Sequence, residues 1–357
     1  MNITEFRQFV TPKALAANWT EVVSNRMPYL GETLFPSKQK AGLDLSWIKG
    51  TKGLPVSLMP SAFDAKATFR DRPGIEKLET EMPFFREGFK IKEKDRQDIL
   101  RIRDEKDPYL NEALNRMFDD ANNLLEGALV VPERMIMSLL FAENGYAQIS
   151  IKANGVDYTY NYDPDGSWRR DNYIGLTSTA TWDSTSTADP FKDIQDAKDK
   201  ITAQGGQAAM IAMNTNTFKL LRSITAVKNL FLTLNGQAVG YLTDAQIVQV
   251  LKDATGLTGV ILYDKQYKDE SGETHKFVPD DYVAVMPAGA LGNTWRGTTP
   301  EEADLMGSSA ADVTVLNSGI AITQILDPHP VNLNTFASEI VLPSYERMNE
   351  VALIKVK

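Results

Sequence analysis

The chain has 357 residues, a formal net charge of −9, 43% hydrophobic residues and no cysteine. That composition is ample for a globular core and excludes a disordered chain, disulfides, thiolate metal sites and cysteine nucleophiles. Its acidity argues against a dedicated nucleic-acid binder, which relies on clustered Lys and Arg to neutralise phosphates, so any contact with nucleic acid is expected to be weak or local.

The amino terminus lacks a basic stretch followed by an apolar one, so no secretion signal is expected and the protein stays in the compartment where it is made. Leu15, Trp19, Val22 and Val23 predict a short helix from Pro12 to about residue 25. Residues 27–60 carry Pro28, Pro36, Pro55 and Pro60 and read as an extended arm. From Asp64 to Lys94, 15 of 31 residues are charged, eight basic and seven acidic. Ala65, Ala67 and Phe69, and later Phe89 and Ile91, alternate as in strands, with a turn at Arg70-Asp71-Arg72-Pro73-Gly74 between the two halves. A two-stranded ribbon is marginal in water, so one bearing Phe69, Phe84, Phe85 and Phe89 needs a surface to lie on, which another copy of the chain can supply.

Pro108 suits a first helical turn, and Leu110, Ala113, Leu114, Met117, Ala121, Leu124, Leu125 and Ala128 share one face of a long helix. Pro132 is expected to kink or interrupt it before a second apolar stretch at Met135, Ile136, Leu139 and Leu140. Residues 146–172 read as a hairpin turning at Ala153-Asn154-Gly155, and 177–189 as a Ser/Thr-rich loop. Asp189-Pro190 opens a helix that ends at Gly205-Gly206. Strands at 208–213, 260–263 and 282–286 alternate with helices capped by Asn214 or Asn216 and by Thr243 or Asp244, which predicts an α/β subdomain over about 207–312. The tail returns to strands at 321–326, 339–342 and 351–356, and no stretch is long and apolar enough to span a bilayer.

Chemistry-bearing patterns are sparse. The two histidines, His275 and His329, are not in metal-binding spacing, and no Gly-x-Ser-x-Gly elbow or glycine-rich phosphate loop occurs. Asn161-Tyr162-Asp163-Pro164-Asp165-Gly166 opens like a calcium loop but has Asn172 at the twelfth position, and it reads as a turn. The acidic pairs Asp119-Asp120 and Glu301-Glu302 read as solvated faces. The expectation is a protein that is not an enzyme and takes neither cofactor nor metal.

One stretch resembles a known family. Tyr263-Asp264-Lys265-Gln266-Tyr267, then Gly272, Lys276-Phe277-Val278-Pro279-Asp280-Asp281, a hydrophobic strand and Gly292-Asn293-Thr294-Trp295-Arg296-Gly297 are similar to the major capsid protein E family of tailed phages, which includes the major head protein of phage lambda. The resemblance implies an α+β fold of the Hong Kong 97 capsid type. Its parts would be an N-terminal arm (1–53), an extended E-loop (54–94), a peripheral domain with a long spine helix and a hairpin (95–206), an axial domain (207–312) and returning peripheral strands (313–357). It further implies pentamers and hexamers of the chain itself closing into an icosahedral virion shell, with synthesis in the bacterial host cytoplasm. Expected partners are a separate scaffolding protein, a portal protein, a decoration protein and weakly held packaged DNA, with no membrane. Phe69, Arg70, Asp71, Arg72, Phe84, Phe85, Arg86 and Glu87 are the candidates for contacts between subunits. A cellular nanocompartment shell of the same fold and a non-assembling enzyme or carbohydrate-binding protein are the alternatives.

Overall fold

The structure, a computed structural model, describes residues 2–24, 26–49, 76–91, 97, 108–153, 155–235, 242–329 and 331–357. Helices α1 (Ile3–Arg7), α2 (Pro12–Ser24) and α3 (Leu30–Leu34) precede strands β1 (Ser37–Gln39), β2 (Asp44–Lys49), β3 (Glu76–Glu81) and β4 (Phe84–Ile91). The long helix α4 (Pro108–Leu140) leads to the ribbon of β5 (Gln148–Ala153) and β6 (Val156–Asn161), then to α5 (Ser167–Asn172), β7 (Tyr173–Gly175) and α6 (Pro190–Ala203). Next come β8 (Met210–Met213), α7 (Thr215–Ser223), α8 (Thr225–Asn235), α9 (Asp244–Thr255) and β9 (Gly259–Leu262). The chain ends with β10 (Gln266–Lys268), β11 (Thr274–Lys276), β12 (Tyr282–Met286), β13 (Asn293–Gly297), β14 (Asp312–Val315), β15 (Ala321–Pro328), β16 (Val331–Ser344) and β17 (Ala352–Lys355).

These elements form two compact units, one of Met1–Leu45, Thr80–Glu133 and Asn293–Pro343, the other of Ser46–Glu79, Arg134–Gly292 and Ser344–Lys357. In the first, a sheet runs in the order β1-β13-β16-β15-β14, with β4 also pairing with β16. Leu333 and Ile91 stand opposite each other on β16 and β4 and pack with Phe6, Val10, Leu110 and Met117, so α1 and the start of α4 cover one face of the sheet. Gln324, wholly buried on β15, locks the amino terminus onto that face: its amide donates to the Val10 carbonyl (3.1 Å), and its carbonyl accepts from Arg7 Nε (3.1 Å).

In the second unit the sheet order is β7-β17-β12-β8-β9. Side chains of Ile211, Met213, Val283, Val285, Ala352 and Ile354 share a core with α6, α7, α8 and α9. Caps define the helix starts as the sequence anticipates: Asn214 accepts from the Thr217 N–H, and Thr243 with Gln246 forms a reciprocal capping box.

Several expectations are corrected. Helix α4 runs through Pro132 without interruption. Proline inside a helix costs about 3 kcal/mol, but Met135, Ile136, Met137, Leu139 and Leu140 beyond it are all essentially buried, and each such side chain contributes about 1.5–3 kcal/mol. The hairpin predicted over 146–172 closes at Asn161, and 167–172 is helical. The Asp163 carboxylate accepts from the N–H groups of Trp168 and Arg169, both at 2.9 Å, and so starts α5 where a strand was expected. Helix α3 interrupts the arm expected to be extended, helix α8 was not anticipated, and the polar loop 265–275 contains the β10–β11 ribbon. Strand β16 pairs within the first unit's sheet and β17 within the second's, while β13 joins the first. Strand β17 lies between β12 and β7 with Ala352, Leu353 and Ile354 unexposed, and its continuous apolar run suits a strand covered on both faces.

Candidate functional site

Of the candidate contact residues, Phe69, Arg70, Asp71 and Arg72 lie outside the described residues; Phe84, Phe85, Arg86 and Glu87 sit together at the start of β4. The antiparallel register places Phe84 opposite Ile340, Phe85 opposite Glu339, Arg86 opposite Ser338 and Glu87 opposite Ala337. Side chains alternate faces along a strand, so Phe84 and Arg86 share one face, and Phe85 and Glu87 share the other.

On the first face the Arg86 guanidinium lies 2.5 Å from Glu301 and over the Phe84 ring, 4.7 Å from its centre. Glu301 is buried and also accepts from the Ser338 hydroxyl at 3.0 Å. The solvated reading of Glu301 is therefore corrected, because a short helical turn at 301–305 folds it onto the sheet. Arg86 keeps 45% of its side chain exposed, so one side of its charge is engaged within the chain and the other is open to solvent. Glu87 is exposed, and Phe84 and Phe85 are half-buried.

The opposite face carries a pair that sequence inspection missed. Arg296 on β13 donates to Glu339 on β16 at 2.6 Å, both side chains are buried, and Arg296 Nε also reaches Ser37 Oγ on β1 at 3.2 Å. Burial pushes the Glu339 carboxyl up to about 7, against the pull of Arg296. Arg296 falls within the glycine-flanked segment 292–297 that carries the family resemblance, but nothing in that segment points to Glu339; only the strand order brings the two together.

Gly88 makes the close packing at the middle of β4 possible. A Cβ there would meet Phe336 Cδ1 at 2.4 Å and the Thr335 carbonyl at 2.7 Å. Since the backbone oxygen cannot yield as a side chain can, Gly88→Ala is expected to destabilise the chain by about 1–3 kcal/mol. Thermal denaturation checks this, and an unchanged midpoint would show that β4 does not hold this register.

Elsewhere, the carboxylates of the loop that opens like a calcium site are engaged by the chain: Asp163 caps α5, and Asp165 accepts from the Ser167 N–H and hydroxyl. His329 is exposed in the turn after β15. His275 lies against Tyr267 and 2.9 Å from Asp269, and Asp269, Glu273 and His275 are the one group among the described residues with metal-ligand spacing. Hydrogen bonds from Ser271, His275 and the Glu273 N–H hold Asp269 well below the usual carboxylate range, so its oxygens already tie the β10–β11 turn together. Among the described residues no helix is long and apolar enough to cross a membrane.

The family model described as phage major capsid protein E matches residues 11–356. A protein described as a prophage capsid protein from E. coli CFT073 is similar in structure, with TM-score 0.60 and 14% identity over 97% of this chain and 99% of that one. A phage-related protein from Bordetella bronchiseptica RB50 follows with TM-score 0.56 and 12% identity over 97% of each chain. No curated protein matches the sequence.

Proposed function

The chain belongs to the phage major capsid protein E family, and on that premise we propose that β4 and the residues before it form the contact by which one subunit holds the next in a closed icosahedral shell. It is a major capsid protein with the fold of Hong Kong 97 type capsids, a structural component of the virion. The observation that carries the proposed contact is the half-satisfied Arg86, anchored by Glu301 on one side and exposed on the other, beside exposed Glu87 and two half-buried phenylalanines. Apolar groups flanked by charges of both signs suit an interface that excludes water at its centre and sets register at its rim. Phe69, Arg70, Asp71 and Arg72 would extend the same contact.

The proposed division is an N-terminal arm (1–53), an E-loop (54–94), a peripheral domain (95–206 with 313–357) and an axial domain (207–312). The packing of α7, α8 and α9 on β8, β9 and β12 supports the axial assignment, while β13 and β17 cross the division in opposite senses. Pentamers and hexamers would be the building blocks, helped by a separate scaffolding protein, a portal and a decoration protein. The subunit would be made in the host cytoplasm and would contain the genome mechanically, without catalysis. A net charge of −9 supports weak contact with packaged DNA, since a wall that grips phosphates would hinder filling and release.

Sedimentation velocity with negative-stain microscopy of the fast fraction tests the assignment, alone and with coexpressed scaffolding protein. Shells, tubes or capsomer rings are expected. A chain that stays monomeric in both conditions, with 64–94 resistant to protease, would sink it. Glu87→Lys, at an exposed side chain outside the Arg86–Glu301 pair, should reduce assembled material at least tenfold while leaving the monomer folded by circular dichroism; unchanged assembly would remove β4 from the interface.

A further inference from the structure

The β10–β11 turn brings together three side chains of two donor types. Asp269 follows β10, Glu273 precedes β11 and His275 lies on it, and one ligand atom from each stands within 4.8 Å of the other two. The two oxygens of Asp269 are used differently. Oδ1 accepts from the Ser271 N–H (2.9 Å), the Ser271 hydroxyl (2.7 Å) and the Glu273 N–H (3.0 Å), which orients the carboxylate. Oδ2 is turned instead to His275 Nε2, at 2.9 Å. The imidazole is positioned in its turn by an aromatic stack. Tyr267 stands opposite His275 in the ribbon, with the two rings 5.5 Å apart. Tyr267 also lies 4.8 Å from the Phe277 ring and 5.4 Å from the Arg134 guanidinium, which pairs with Glu270 at 2.6 Å. Carboxylate and imidazole are thus both held by outer partners, as the ligands of metal ions are.

Two ligand atoms about 2.1 Å from a first-row metal ion, set between a right angle and a tetrahedral one, stand about 3.0–3.4 Å apart. The 2.9 Å between Asp269 Oδ2 and His275 Nε2 is close to that separation. An ion can therefore replace the hydrogen between them, with the ring's remaining proton on Nδ1. Glu273 is exposed, so rotation about its own side-chain bonds brings an oxygen to the third position. One imidazole nitrogen with two carboxylates selects a first-row transition ion over Mg²⁺ or Ca²⁺, which take oxygen ligands. A clip at this place also has a physical use, because the ribbon has two strands and three residue pairs and such a ribbon is marginal in water. We propose that Asp269 Oδ2, Glu273 and His275 Nε2 bind one divalent first-row transition ion, such as Zn²⁺, across the β10–β11 turn. His275 also lines a cleft of about 600 Å³, which gives water access to the remaining coordination positions. The Asp-x-x-x-Glu-x-His spacing becomes a ligand set only when the turn folds Glu273 and His275 back onto Asp269.

His275 and His329 are the chain's two histidines and it has no cysteine, so imidazole ligation is assigned with two variants. Isothermal titration of the full-length, unassembled chain with Zn²⁺ is expected to show one ion bound per chain. His275→Ala and Glu273→Gln should each weaken that binding at least tenfold, and His329→Ala should leave it unchanged, all with the parent circular dichroism. Titration with Co²⁺ should give visible absorption bands that His275→Ala abolishes, and excess Mg²⁺ or Ca²⁺ should not displace Zn²⁺. A parent chain that binds no Zn²⁺ overturns the proposal. So does binding that survives His275→Ala and Glu273→Gln, or that Ca²⁺ displaces, since either is the behaviour of an acidic surface without a site. Should His275→Ala unfold the ribbon, Glu273→Gln decides alone, because it exchanges an exposed carboxylate for an amide of the same size.

Discussion

Arg296→Met is expected to cost about 3–5 kcal/mol at pH 8, because it leaves the buried Glu339 carboxylate without its cation. The pH dependence of the parent chain sets the sign. Glu339 is pushed from 4.5 to about 7 in the fold, so the folded chain binds its proton more tightly than the unfolded one does. Its contribution to stability is therefore fully present below about 4.5 and is lost as pH rises through about 7. Removing Arg296 pushes the carboxyl higher still, so the loss is large at pH 8 and smaller at pH 5, where the group is mostly protonated. Urea denaturation of the unassembled chain at the two values measures it, and an equal loss at both would show that Glu339 does not ionise in the fold. Replacing both partners, Arg296→Met with Glu339→Leu, should recover most of the stability, since an apolar pair of similar size avoids desolvating two charges.

Trp182→Ala is the second large effect, about 3–5 kcal/mol from lost burial and the cavity left behind. Trp182 is wholly buried in the core formed by α6, α7, α8 and α9. Its Nε1 donates to Asp193 Oδ2 at 2.9 Å, and that bond opposes the burial that pushes the Asp193 carboxyl up. Trp182→Phe separates the two contributions: it keeps most of the volume but leaves Asp193 without its donor, for a cost of about 1–3 kcal/mol. The midpoint of urea unfolding followed by circular dichroism decides the order. If Phe proves as damaging as Ala, the hydrogen bond and not the packing dominates at this site. Shell yield should fall with the folded fraction, because assembly draws only on folded subunits.

Much of the local architecture is legible because it depends on neighbours in sequence. The apolar face of α4, the caps at Asn214 and Thr243, the turn of the β5–β6 ribbon and the α/β alternation after residue 207 all rest on short-range periodicity and hydrogen bonding. The spacing from Tyr263 to Gly297 carried the family resemblance. The candidate contact residues were only partly legible: a charged, aromatic stretch such as Phe84–Glu87 marks a surface in need of a partner, but nothing local shows that Arg86 is tethered to a glutamate more than two hundred residues away.

What the chain determined by itself, then, was the type of its most periodic and best-capped elements, its lack of thiol chemistry and its assignment to a family of shell proteins. Tertiary structure decided which strands share a sheet, why Pro132 is tolerated, and where charge is buried. Glu301 and Glu339 look like any surface carboxylates in sequence; one is folded under Arg86 by a helical turn, and the other is set against Arg296 by the strand order β1-β13-β16. The physical reason is that desolvation depends on everything within a few ångströms in space, whereas periodicity reports only on residues within a few positions along the chain.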